Sequence, residues 1–139
     1  MKVIDDEEKY RTTKIKVARW IFSIALIVTI YMVYWICFDE NPFLKSGSPD
    51  RINLVEITEY GNGFLFGPKN IKIYFKGNEG TILEEKKVRI SNIMEPNNKS
   101  LYDITWEDKN QVEITMNYED ETKVLNYNFK TREMDMNIK

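Results

Sequence analysis

Histidine is absent from the 139 residues, cysteine occurs once and proline only four times. Without His, the commonest general base is missing, and with it the usual serine and cysteine triads and most zinc sites. A lone Cys37 excludes an internal disulfide, so any folded part that faces an oxidising space is held by its core alone. No D-x-[DN]-x-[DN]-G loop signals calcium, and neither a solenoid period nor a low-complexity tract is present. Carboxylates remain, in the clusters Glu84-Glu85, Glu107-Asp108 and Glu119-Asp120-Glu121. Two facing carboxylates can hydrolyse a glycoside, but adjacent acids in a turn are more often a solvated tip that keeps a sheet edge soluble. The expectation is a protein that is not an enzyme and takes no cofactor or metal.

Charge is also missing from one long stretch. The nineteen residues from Trp20 to Phe38 carry none, with Lys14, Lys16 and Arg19 before them and Asp39 and Glu40 after. As a helix they cover about 28 Å, close to the ~30 Å hydrocarbon thickness of a bilayer. Ten of the nineteen are Ile, Leu, Val or Phe, which outweighs the modest cost of Ser23, Thr29, Tyr31 and Tyr34. Trp20 at one end and Tyr31, Tyr34 and Trp35 towards the other suit the headgroup levels, where an amphipathic ring keeps one edge apolar and one wet. A buried core helix would show a polar face, and a cleaved signal would be shorter and end in small residues rather than Tyr34-Trp35-Ile36-Cys37-Phe38. The bulky Trp35 and Ile36 likewise disfavour acylation of Cys37.

Lys2, Lys9, Arg11, Lys14, Lys16 and Arg19 precede this span, against Lys45 and Arg51 closely after it. That imbalance predicts a cytoplasmic tail over residues 1–19, a transmembrane helix over 20–38, and residues 39–139 outside. Six of the 20 basic and four of the 22 acidic residues lie in the tail, so the exterior part carries a net charge of −4. Nucleic acid, which demands a basic patch, is not an expected partner. Membrane lipid is. Ala25 and Thr29 form a small-xxx-small pair suited to helix–helix contact.

Asn41-Pro42 and Lys45-Ser46-Gly47-Ser48-Pro49 read as a tether over residues 39–49. From residue 50 to 131 the apolar pattern has period two, with punctuation every eight to twelve residues or so, which predicts an antiparallel β domain of about six strands. The strands are expected over 52–60, with a bulge shifting its register midway, and over 71–76, 81–90, 101–106, 112–118 and 125–129. Inward-facing sets are Ile71, Ile73 and Phe75; Tyr102, Ile104 and Trp106; Val112, Ile114, Met116 and Tyr118; and Leu125, Tyr127 and Phe129. A meander is expected, curled into a half barrel or split into a small sandwich, with residues 132–139 as a fraying tail.

Between the first two strands lies Tyr60-Gly61-Asn62-Gly63-Phe64-Leu65-Phe66-Gly67-Pro68-Lys69-Asn70. Its glycines permit unusual backbone angles around three consecutive apolar residues. Tyr60, Phe64, Leu65 and Phe66 are the candidate partner contacts; the alternative is that the loop folds back to plug the open end of the sheet.

The Ser48-Pro49-Asp50 start, the Gly63-Phe64-Leu65-Phe66-Gly67-Pro68 run leading into Ile71-Lys72-Ile73, and Tyr102-Asp103-Ile104-Thr105-Trp106 resemble a family of small bacterial membrane-anchored proteins. The resemblance spans roughly Trp20 to Lys130. It implies a one-span anchor and a compact β domain outside the cytoplasm, and carries over no activity. The chain departs from that pattern at Arg51, where such proteins commonly have Gly, and at Asn62-Gly63, where a Pro is common.

Together these readings predict a membrane-anchored, extracytoplasmic binding module that contacts an envelope protein or polymer. Two alternatives from other classes are an accessory or immunity-type protein acting through its transmembrane helix, and a small carboxylate-dependent hydrolase.

Overall fold

The computed structural model describes residues 2–61, 70–90 and 95–139. It contains a helix α1 (Lys2–Phe38) and eight strands: β1 (Glu40–Gly47), β2 (Leu54–Tyr60), β3 (Asn70–Lys76), β4 (Ile82–Arg89), β5 (Tyr102–Trp106), β6 (Gln111–Asn117), β7 (Thr122–Asn128) and β8 (Met134–Ile138). The chain forms two compact units, residues 1–37 and residues 38–139.

The helix extends through the charged N-terminal tail as well as the apolar segment, because residues 2–38 contain no Gly or Pro and place Asp5 and Glu7 four residues ahead of Lys9 and Arg11. Within its apolar part, Ser23 and Thr29 donate their hydroxyls back to the Arg19 and Ala25 carbonyls at 2.9 and 2.8 Å, which removes the polar cost of both in lipid. Thr29 thereby spends its donor inside its own helix. Among the described residues this is the one helix long and apolar enough to cross a membrane. Trp20, Tyr31, Tyr34 and Trp35 all stand exposed on it.

The second unit is a sandwich of two antiparallel four-stranded meanders, β1-β2-β3-β4 and β5-β6-β7-β8. Val55, Ile57, Ile71, Ile73, Phe75 and Val88 from the first sheet meet Tyr102, Val112, Ile114, Met116, Leu125 and Tyr127 from the second in one core. At its centre the Phe75 ring stacks on Tyr127, with centroids 4.0 Å apart, and meets Phe129 edge-on at 5.9 Å. Three polar bonds also cross between the sheets: Trp106 Nε1 donates to Ser46 Oγ at 3.0 Å, Asn53 Nδ2 to the Lys109 carbonyl at 2.8 Å, and Lys123 Nζ to the Arg89 carbonyl at 3.1 Å. Each sheet therefore covers the apolar face of the other, which resolves half barrel against sandwich in favour of the sandwich.

Three expectations are corrected. The tether is instead β1, paired with β2 from Glu40↔Tyr60 to Gly47↔Leu54. Pro42 is tolerated because β1 is an edge strand, where a missing N–H need not break a ladder. The supposed fraying tail is β8, whose Met134, Met136 and Ile138 pair with Tyr127, Leu125 and Lys123. The bulge lies in β1, between Pro42 and Leu44, while β2 pairs with β3 in unbroken register. The extra residue, Phe43, packs against Tyr102 at 5.4 Å between ring centroids.

After β1 the chain reverses through a turn organised by Ser48. Its hydroxyl donates to Asp50 Oδ1 at 2.6 Å and accepts from Asn53 N at 3.0 Å, and its backbone N–H bonds the Asn53 carbonyl at 2.8 Å. Arg51 sits in this turn at φ 61°, the left-handed region in which a side chain is strained. Gly would relieve that strain, since it adopts positive φ without steric cost. Arg51→Gly is expected to raise the stability of the sandwich by about 0.5–1 kcal/mol, a gain of a few degrees in Tm, read by thermal unfolding of the full chain in detergent. A loss of stability would show that the turn is unstrained.

Candidate functional site

The antiparallel register of β2, β3 and β4 lines up side chains in rows across the outer face of the first sheet: Tyr60, Asn70 and Arg89; Thr58, Lys72 and Lys87; Glu56, Tyr74 and Glu85. β1 adds Glu40 opposite Tyr60 and Lys45 opposite Glu56. Outer faces of small sandwiches are usually wet, yet here Glu56 and Thr58 are buried and Tyr74 is 9% exposed. Long neighbouring side chains lie flat over them and bind one another.

Two ionic groups make up this layer. Glu56 joins Lys45 at 2.8 Å and Lys76 at 2.9 Å. Glu40 pairs with Lys72 and accepts the Tyr74 hydroxyl at 2.7 Å. Burial alone would raise both carboxyls, but the hydrogen bonds from their lysines, joined by Tyr74 at Glu40, outweigh it and hold both below the ordinary 4.5. Lys72 shows the mirror image: burial would lower it, and its bond to Glu40 raises it. The Tyr74 hydroxyl is raised by burial and by Glu40. A depressed carboxyl stabilises the fold above its unfolded value, and that contribution is lost as pH falls through the folded value. Thermal stability is therefore expected to hold from neutrality to about pH 5 and to drop below about pH 4. Glu56→Gln should cost about 1.5–3 kcal/mol at pH 7 and flatten that acid drop. An unchanged acid profile in Glu56→Gln would remove the ionic layer as its cause.

Tyr60, a sequence-predicted contact, lies at the end of this layer. Lys72 Nζ stands 5.2 Å and Lys87 Nζ 5.9 Å from its ring centroid, close enough for attraction to the ring face. Lys72 is already neutralised by Glu40. Lys87 and Arg89 are exposed and, among the described residues, enter no ion pair. The structure thus assembles a basic corner around Tyr60 from three strands. Sequence reading missed Lys72, Lys87 and Arg89 as a group; their outward phase was readable, but their meeting depends on strand pairing. Phe64, Leu65 and Phe66 lie outside the described residues.

The outer face of the second sheet has the opposite character. Glu113, Asn126 and Asp135 stand in register across β6, β7 and β8. With Gln111, Asn128, Glu107 and Glu133 they line an open groove of about 590 Å³ that, among the described residues, has no basic side chain in its wall.

Several members of the carboxylate clusters found in the sequence serve the fold, while Glu107 lines the groove. Asp108 Oδ1 accepts the Asn110 and Gln111 N–H groups at 2.6 and 2.8 Å and so shapes the β5–β6 turn. Glu121 pairs with Lys123 at 2.8 Å, and Glu84 and Glu85 lie exposed on edge strand β4, where charge discourages further strand pairing. Among the described residues no group of three or more Cys, Asp or Glu is arranged to hold a metal ion. Between the sheets, burial pushes the Tyr102 hydroxyl up to about 12, and it donates to the Pro96 carbonyl at 2.5 Å.

Compared with protein-family models, curated proteins and solved structures, the chain has no match.

Proposed function

We propose that this protein is a single-span, membrane-anchored binding module, with its N-terminus in the cytoplasm and its β-sandwich presented outside to an envelope protein or polymer. The observation that carries the reading is the junction: one residue, Asp39, separates an apolar helix from the first strand of the sandwich. An apolar helix of this length is stable in lipid, and the first strand of the sandwich begins one residue after it in the chain, with no long linker between. The excess of Lys and Arg before the span supports the orientation. The complete lack of His supports binding over hydrolysis, as do the turn-building role of Asp108 and the pairing of Glu121 with Lys123. The resemblance noted from the sequence points the same way.

The test has two arms in native membranes. The protein is expected to remain with the membrane through alkaline carbonate washing, and protease added to intact cells should remove the sandwich. A photo-crosslinker at Glu113, in the groove of the second sheet, should then give adducts that survive replacement of residues 20–38 by an unrelated apolar helix. Recovery in the soluble fraction would overturn the anchor, and loss of every adduct on helix replacement would favour the rival in which the helix itself recognises a partner.

A further inference from the structure

We propose that the corner formed by Tyr60, Lys87 and Arg89 docks on anionic phospholipid headgroups, so that the sandwich lies against the bilayer that anchors it. The proposal rests on the reading of α1 as a membrane-crossing helix and adds to it a second, electrostatic contact.

Three observations lead to it. The first is position. Phe38, the last helical residue, belongs to the same compact unit as the sandwich. Asp39 follows it, and the Asp39 carbonyl accepts the Gly61 N–H at 3.3 Å. Glu40 is in register with Tyr60. Since consecutive residues advance the chain by less than about 4 Å, Tyr60 and Gly61 sit beside the point where the chain leaves the helix. The second is charge. Lys72 pairs with Glu40, which also feels the charge of Lys87; among the described residues Lys87 and Arg89 enter no ion pair, so Lys72, Lys87 and Arg89 against Asp39 and Glu40 leave the corner net positive. On the opposite side of the sandwich the groove wall has Glu107, Glu113, Glu133 and Asp135 and, among the described residues, no cation. A domain with this asymmetry turns its basic corner towards a negative surface and its acidic face away from it. The third is chemistry. Tyr60 supplies an amphipathic ring of the kind that settles at headgroup depth, and Lys and Arg rest their stems on apolar surface while reaching phosphate oxygens with their heads. The two exposed cations lie on β4, an edge strand of its sheet among the described residues.

A cation at an anionic membrane surface shifts the ratio of docked to free domain about fivefold, so Lys87 and Arg89 together shift it roughly thirtyfold. The experiment uses the full chain, Cys37→Ser, with a nitroxide on Glu85→Cys, an exposed position on the outer face of β4. It is placed in nanodiscs of phosphatidylcholine alone or with phosphatidylglycerol added, at low salt. The readout is accessibility of the label to a neutral water-soluble nickel chelate. Accessibility is expected to fall severalfold in the anionic discs, to recover at high salt, and to stay high in Lys87→Glu/Arg89→Glu. Lys87→Arg/Arg89→Lys, which keeps both charges, should behave as the parent, and circular dichroism checks that each variant is folded. Equal accessibility in the two lipids overturns the proposal, as does protection that persists in the charge-reversed variant. Equal protection by free inorganic phosphate in neutral discs also overturns it, in favour of a small-anion site. A chain that does not enter the discs overturns the anchor reading itself, so the two failures are distinguishable.

Discussion

Deleting residues 132–139 is expected to unfold the sandwich, although the sequence of this segment reads as a loose end. β8 pairs five residues with β7, and Met134 and Met136 pack against the common core. Leu125 and Tyr127, at 0% and 2% exposure, lie directly opposite them. A fully buried Met contributes about 1.5–3 kcal/mol, and the half-burial here about half that. Uncovering Leu125 and Tyr127 and breaking the outer ladder roughly double the loss, to about 3–5 kcal/mol. Domains of this size have about 5–15 kcal/mol in all, so the truncated chain sits at the edge of folding. Thermal unfolding followed by near-ultraviolet circular dichroism of the full and truncated chains in detergent measures this. An unchanged Tm would mean that β8 contributes nothing and that the tail frays after all.

Phe75→Ala should be comparably severe from a single residue. Its ring has no exposure, stacks on Tyr127 at 4.0 Å and meets Phe129 at 5.9 Å, so it is the joint between the two sheets. Truncating a core Phe costs about 3–5 kcal/mol, the sum of lost transfer energy and the cavity left behind. For a sandwich of this size that is a fall in Tm of about 15–30 °C. Phe75→Leu keeps most of the volume and should cost less than half as much. If both variants melt alike, the loss lies in the stacking geometry rather than in the cavity; if neither melts early, the two sheets are held elsewhere. The natural comparison is Lys87→Ala on the outer face of the same sheet, which should move Tm by less than about 0.5 kcal/mol's worth.

The inward residues of four strands were readable because alternation is a local property: Ile71, Ile73 and Phe75 must share a face whatever their partners are. The two missed strands fail for different reasons. In residues 132–139 the alternation of Met134, Met136 and Ile138 was present, but its polar interruptions and terminal place favoured a tail. In residues 39–49 the prolines, glycine and serines describe a tether correctly by propensity, and β1 exists because β2 offers a ladder that an edge strand with one Pro can still use. The candidate site divides in the same way. Tyr60 was legible as an aromatic residue beside a glycine-rich turn. Lys87 lies 27 residues further on, and only the β2-β3-β4 register brings it over the Tyr60 ring.

By itself the sequence determined that one segment is apolar enough to cross a membrane, that the part following it is all-β, and that histidine-dependent chemistry is excluded. Composition and local period set those properties, and they need no knowledge of which strand meets which. Only the tertiary structure decided that two meanders close on one core, that both ends of the β region are strands, and that the sandwich has a basic corner and an acidic face. Those features arise from contacts between residues far apart in the chain, and the free energy of such contacts depends on pairing and register, which no local pattern contains.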